Sequence, residues 1–133
     1  MSKQDLFLQL STTELQQAGS YWTAREIQQQ PQLWQQVQQE HQQKKTQLDQ
    51  FLSPLLAKAD LRIILTGAGT SAYIGAALAA FVQQQLPFAT QKVEAISTTD
   101  LVSHPALYFD ARLPTLLVSY GRSGNSPESV AAV

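Results

Sequence analysis

Apolar residues recur at helical intervals through the first 59 positions and in short dense runs from Asp60 onward, so the periodicity divides the chain into two parts. In the first part Leu33, Trp34, Val37, Leu48, Phe51 and Leu52 mark one helical face. A first short helix is expected over Lys3–Leu10. Thr23-Ala-Arg-Glu26 has capping-box spacing and predicts a helix start. That helix should stop near Gln30, because a proline disfavours helical backbone at the residue before it. Pro31 then suits the first turn of a long helix, where its missing N–H costs nothing. Ser53-Pro54 repeats the same cap-plus-proline pattern ahead of Leu55–Ala59.

In the second part, Leu61–Thr66 is a β-branched run ending at Gly67, the pattern of a buried parallel strand. Ser71–Gln85 reads as a small-residue helix able to lie close on a sheet. Gln91–Thr98 reads as a second strand, Asp100–Tyr108 as a short helix or loop, and Pro114–Tyr120 as a third strand. Ser126-Pro127-Glu128 opens a last helix: hydroxyl cap, first-turn proline, early acid. The expected fold is α/β: N-terminal helices over residues 1–59, then over residues 60–133 the first half of a doubly wound, flavodoxin-like parallel sheet. Ligands of such sheets bind at the carboxyl ends of the strands. Three strands make a thin sheet, so the chain reads as a fragment of a longer protein. Thr115–Ser119 would then be an apolar edge strand, prone to association or aggregation.

Composition narrows the possible functions. Charged residues are only 14%, with nine Lys and Arg against ten Asp and Glu, so the clustered cations of a nucleic-acid binder are missing. There is no Cys, which excludes a disulfide framework, a thiolate metal site and a cysteine nucleophile. Neither a metal nor a cofactor is called for. Gln replaces the charge: 12 of the 23 residues from Gln28 to Gln50 are Gln. Apolar residues interrupt that tract at helical spacing, and Gln is a good helix former, so it reads as the coat of an amphipathic helix. The first ten residues fit neither a signal nor a transit peptide, and no apolar run reaches membrane-spanning length. The expectation is a cytoplasmic protein that touches neither membrane nor nucleic acid.

Two loops carry the candidate chemistry. Strand one runs into Gly67-Ala-Gly-Thr-Ser-Ala72 and strand three into Gly121-Arg-Ser-Gly-Asn-Ser126. Glycine lets backbone approach a ligand, and strand-to-helix turns offer unpaired N–H groups. The candidate anion-binding residues are Gly69, Thr70, Ser71, Gly121, Arg122, Ser123, Gly124 and Ser126, with Arg122 supplying a bidentate cation. Either loop alone is equally well a turn with a helix cap. Two of them at the ends of strands in one sheet favour a shared ligand. Gly67-x-Gly-x-x-Ala72 also fits the loose dinucleotide fingerprint, but the nearest acid in the right place, Asp100, lies 33 residues beyond Gly67 where about 20 is usual. Neither loop ends in the Gly-Lys-Ser/Thr of a P-loop.

Gly-x-Gly-Thr-Ser after one strand and Ser-Gly-x-Ser after a later one resemble the sugar isomerase (SIS) domain family, whose loops hold the phosphate of a phosphosugar. Arg25-Glu-Ile-Gln-Gln-Gln-Pro31 resembles the lead-in to the isomerase half of glucosamine-6-phosphate synthase. Thr23–Ile27, Leu65–Ser71, Thr98–Val102 and Arg122–Ser129, taken in order, resemble the tagatose-6-phosphate ketose/aldose isomerase group, also described as galactosamine-6-phosphate deaminase/isomerases. The resemblance runs from about Gly19 to Val133. It implies that Thr70 and Ser71 contact sugar and phosphate, and that Ser123 and Ser126 are phosphate-binding hydroxyls of a Ser-x-Ser-Gly-[Asp/Glu]-Thr pattern. Two positions depart from it: Gly121 stands for the first Ser and Asn125 for the acid. Arg122 stands where Gln is common and offers a charge-assisted contact in compensation.

Aldose–ketose chemistry needs a base to move a proton between C1 and C2 and an acid to open the ring. No residue matches the family's Glu and His in those roles, so the resemblance leads to the expectation that the catalytic groups lie beyond Val133 and that this chain alone is inactive. His41 falls on the apolar stripe of the long helix, and His104 precedes Pro105 in a loop. Glu94 points outward from strand two, and Glu128 suits a helix first turn. All four read as structural, and Trp22 and Trp34 as packing anchors. The expectation is thus a phosphosugar-binding fragment of an amino-sugar or ketohexose 6-phosphate isomerase-deaminase, homo-oligomeric at full length. The alternatives are a sugar-phosphate-sensing module of a regulator and a dinucleotide-binding oxidoreductase fragment.

Overall fold

The computed structural model describes residues 6–133, in two units that divide between Leu48 and Asp49. In the first unit the helix expected over Lys3–Leu10 is replaced, where it is described, by a hairpin. Strand β1 (Leu6–Phe7) pairs antiparallel with β2 (Leu10–Ser11). Leu8 and Gln9 both adopt positive φ (54° and 69°), the left-handed pair a two-residue hairpin turn requires. Residues 3–5 of the expected helix lie outside the described residues. Helix α1 (Thr12–Gln17) starts from a capping box at Ser11, whose hydroxyl accepts from the Glu14 amide (3.3 Å) while Glu14 Oε2 accepts from the Ser11 amide (2.8 Å). The Ser11 hydroxyl also donates to Glu14 Oε2 (2.6 Å), and this bond, with that of the Ser11 amide, holds the Glu14 carboxyl below the ordinary carboxylate range.

Helix α2 is continuous from Tyr21 to Leu56 and corrects the three-helix expectation. Thr23 lies inside it rather than at its cap, and the helix continues through both Pro31 and Pro54. Each proline removes one donor, but long flanks of strong helix formers on both sides of Pro31 propagate helix cooperatively across it. The tryptophans also differ from expectation: Trp22 and Trp34 are each 66% exposed. Trp22 stacks edge-on with Tyr21 and lies under the Arg25 guanidinium, 5.3 Å from its ring centroid.

The second unit is built on β3 (Arg62–Gly67), whose five residues after Arg62 are buried. It is the central strand of a parallel sheet in the order β4 (Lys92–Ala95), β3, β5 (Thr115–Tyr120). Between β3 and β4 run a 3₁₀ turn (Gly69–Ser71) and helix α3 (Ala72–Gln85). Helices α4 (Thr98–Ser103) and α5 (Pro105–Tyr108) lead to β5, and α6 (Pro127–Ala131) follows it. Side chains alternate along β3. Ile63 and Leu65 face a core with Leu61, Leu55, Leu56, Ala79, Val93 and Val118, whereas the buried Ile64 and Thr66 point to the other side. Gly75 lets α3 lie directly on the sheet, since a Cβ there would be 3.0 Å from the Leu65 Cβ and carbonyl.

A buried glutamine ties the pieces together. Gln91 Nε2 donates to the Leu56 (2.8 Å) and Lys58 (2.9 Å) carbonyls, and its Oε1 accepts from the Phe88 amide (3.2 Å). Gln91 thereby closes the end of α2 while satisfying its own buried amide. The chain leaves β3 for β4 on one flank and returns to β5 on the other, so its direction of winding reverses at β3. A crevice at such a reversal, beyond the carboxyl ends of the strands, is the usual ligand position in open α/β sheets. Among the described residues no helix is long and apolar enough to cross a membrane.

Candidate functional site

An open cleft of about 550 Å³ occupies that crevice. From the loop after β3 it is lined by Ala68, Thr70 and Ser71, and from the loop after β5 by Gly121, Arg122, Ser123, Gly124 and Ser126. Seven of the eight residues singled out in the sequence thus share one cavity. The eighth, Gly69, opens the 3₁₀ turn at φ 53°, a left-handed conformation that shapes the loop from outside the lining.

The two loops are held differently. Gly67 ends β3 where a Cβ would stand 2.6 Å from the backbone carbon of Ser71, so the loop folds back onto the strand only with glycine there. The Ser71 amide donates to the Ala68 carbonyl (3.1 Å), and the Ala72 amide donates within the same turn, so these backbone donors are already engaged. Ser71 makes no side-chain capping bond to α3, and the described residues offer no partner to the Thr70 and Ser71 hydroxyls. Those hydroxyls are free to serve a ligand. In the second loop the hydroxyls are employed: Ser126 caps α6 by accepting from the Ser129 amide (3.2 Å) and donates to Ser129 Oγ (2.7 Å). Ser123 Oγ accepts a longer bond from the Asn125 amide (3.4 Å).

Arg122 is exposed, and among the described residues it is the only charged side chain lining the cleft, with no Asp, Glu or His beside it. The arrangement can neutralise and hydrogen-bond an anion; it offers no group to shuttle a proton near neutral pH. His41 and His104 are exposed and belong to other elements. Glu94 pairs with Arg62 and lines a different cleft, of about 260 Å³, with Asp60 and Lys92. Glu128 lies in the first turn of α6. Ala68, Ile74, Tyr120 and Ser129 also line the cleft and were not among the residues singled out in the sequence. The signal for Ser129 was its spacing of three from Ser126, which places its amide and hydroxyl on the cap.

No family model matches the chain. The D-galactosamine-6-phosphate deaminase AgaS of Shewanella sp. (strain ANA-3) is 62% identical over 130 residues, covering 98% of this chain and 33% of that protein. The crystal structure of a tagatose-6-phosphate ketose/aldose isomerase from Escherichia coli matches with a TM-score of 0.79 at 47% identity, over 86% of this chain and 30% of the other. A crystal structure from Clostridium novyi NT that bears a provisional name for the same isomerase matches with a TM-score of 0.87 at 40% identity, over 96% of this chain and 32% of the other. The chain spans about a third of the length of the curated relatives it matches. Along nearly all of its own length the chain is thus similar to about one third of proteins named as galactosamine-6-phosphate deaminases and tagatose-6-phosphate ketose/aldose isomerases.

Proposed function

We propose that the cleft between the two loops binds the phosphate of a hexosamine or ketohexose 6-phosphate, as the phosphosugar-binding part of an isomerase-deaminase. The observation that carries this reading is the convergence of free Thr70 and Ser71 hydroxyls, the Ser123 and Ser126 hydroxyls and the Arg122 guanidinium on one cavity. Such a donor set, with one cation and no carboxylate, suits a phosphate better than a neutral sugar or a cation. The names of the relatives supply the substrate class. Proton transfer between C1 and C2 is assigned to residues outside this lining, so the site itself supplies binding and not turnover.

The test is a thermal-shift panel with galactosamine-6-phosphate, tagatose-6-phosphate, galactosamine, NAD and NADP. Stabilisation by the two phosphosugars alone supports the reading. Equal responses to galactosamine and its phosphate remove the phosphate from the site, and a response confined to NAD or NADP replaces a phosphosugar site with a dinucleotide one.

A further inference from the structure

We propose that Ser129 is a positioning residue for the anion site, acting through Ser126 as a relay of two hydroxyls. The proposal rests on the phosphate reading above and deepens it. Ser129 is 8% exposed yet contributes to the cleft wall, and its Oγ lies 2.7 Å from that of Ser126. A serine hydroxyl has one proton and two lone pairs. The Ser126 oxygen already accepts from the Ser129 amide, and its one proton goes to Ser129 Oγ. In that arrangement Ser126 has nothing to donate to a phosphate oxygen.

Rotation of the two O–H bonds changes this without moving a heavy atom. Ser126 then donates to the ligand oxygen, and Ser129 donates back to Ser126, filling the lone pair that the rotation opens. The chain Ser129 O–H to Ser126 O–H to phosphate polarises in one direction, so each bond strengthens the next. Without the Ser129 hydroxyl, Ser126 keeps its capping bond but loses the group that orients and polarises its proton. The cost expected for Ser129→Ala is the weight of about one neutral hydrogen bond, roughly a fivefold loss of phosphosugar affinity.

The experiment is calorimetric titration of the 133-residue chain with galactosamine-6-phosphate and with galactosamine, in the parent, Ser129→Ala, Ser129→Thr, Ser126→Ala and the double alanine variant. Melting temperatures accompany each titration. The relay predicts that Ser129→Ala loses about fivefold, that Ser129→Thr restores the parent affinity, and that Ser129→Ala adds no further loss in the Ser126→Ala background. A purely structural Ser129 would show the same loss in both backgrounds, and that result overturns the relay while leaving the phosphate site intact. Parent affinity in Ser129→Ala also overturns it. If the parent binds phosphosugar no more tightly than sugar, the phosphate reading itself fails and the relay fails with it.

Discussion

The loops after β3 and β5 look alike in sequence, each a Gly-rich turn with hydroxyls before a helix, yet they divide structure and binding in opposite ways. The first is shaped by backbone: Gly67 sits against Ser71, Gly75 seats α3 on the sheet, and the amides close the 3₁₀ turn. Its hydroxyls therefore remain uncommitted. The second leads into a helix of five residues and is shaped by hydroxyls, with Ser126 capping α6 and bonded to Ser129. A loop held by its backbone can lend all its side chains to a ligand. One held by its side chains must have a ligand compete with its own hydrogen bonds.

The largest effect expected from this contrast is on the first loop. Gly67→Ala forces a Cβ against the backbone of Ser71, which no side-chain rotation relieves. Thermal denaturation should show a loss of about 3 kcal/mol, with Tm falling by about 4–8 °C per kcal/mol. A parent-like Tm would mean that the first loop does not depend on its backbone. Arg122→Ala should behave oppositely, because an exposed side chain is removed without disturbing the loop. Phosphosugar affinity is expected to fall by about 1.5–3 kcal/mol with Tm unchanged, as read by calorimetry beside a melting curve.

Gly124 sharpens the comparison at an intermediate scale. It has φ 70° but open space where a Cβ would go, so Gly124→Ala meets conformational strain and no clash. A cost of about 1–2 kcal/mol is expected, smaller than at Gly67, in the same denaturation experiment. The smallest effect belongs to a control before β5. Asp110 accepts from Arg112 Nε (2.9 Å), Nη2 (2.7 Å) and amide (2.9 Å), which holds its carboxyl down at about 2. Because the folded value lies below the ordinary one, the pair's contribution is present above pH 4 and is lost as pH falls through about 2. NMR titration of the Asp110 carboxyl should give that midpoint. Asp110→Asn should leave phosphosugar affinity within about twofold, the range of a change at a half-buried surface position outside the site.

Strand β3 was legible because burial leaves a dense apolar run, and β3 and β5 follow Leu61–Thr66 and Pro114–Tyr120 within a residue. The strand expected over Gln91–Thr98 is shorter, Lys92–Ala95, because Ser97 caps α4 and Thr98 opens that helix. The cleft was legible because strand ends fix where the glycine loops converge. The N-terminal helices were not. Proline is a local signal, and at Pro31 the cooperativity of a 36-residue helix overrides it. Ser11-Thr-Thr-Glu14 had the same capping spacing as Thr23-Ala-Arg-Glu26, and only the first forms a cap. Pattern alone does not rank two equivalent caps when packing chooses between them. Nor did composition separate a capping hydroxyl from a free one at Ser126 and Ser71, since that depends on where each oxygen lies relative to the first helical amides.

The central claim is that both loops hold one phosphate, and amide-resolved NMR tests it most directly. Titrating ¹⁵N-labelled chain with galactosamine-6-phosphate should shift the amides of Thr70 and Ser71 together with those of Ser123 and Gly124, all along one binding curve with a single Kd, while galactosamine at the same concentrations moves neither set comparably. Shifts confined to one loop, or two loops titrating with different Kd values, would contradict a shared site.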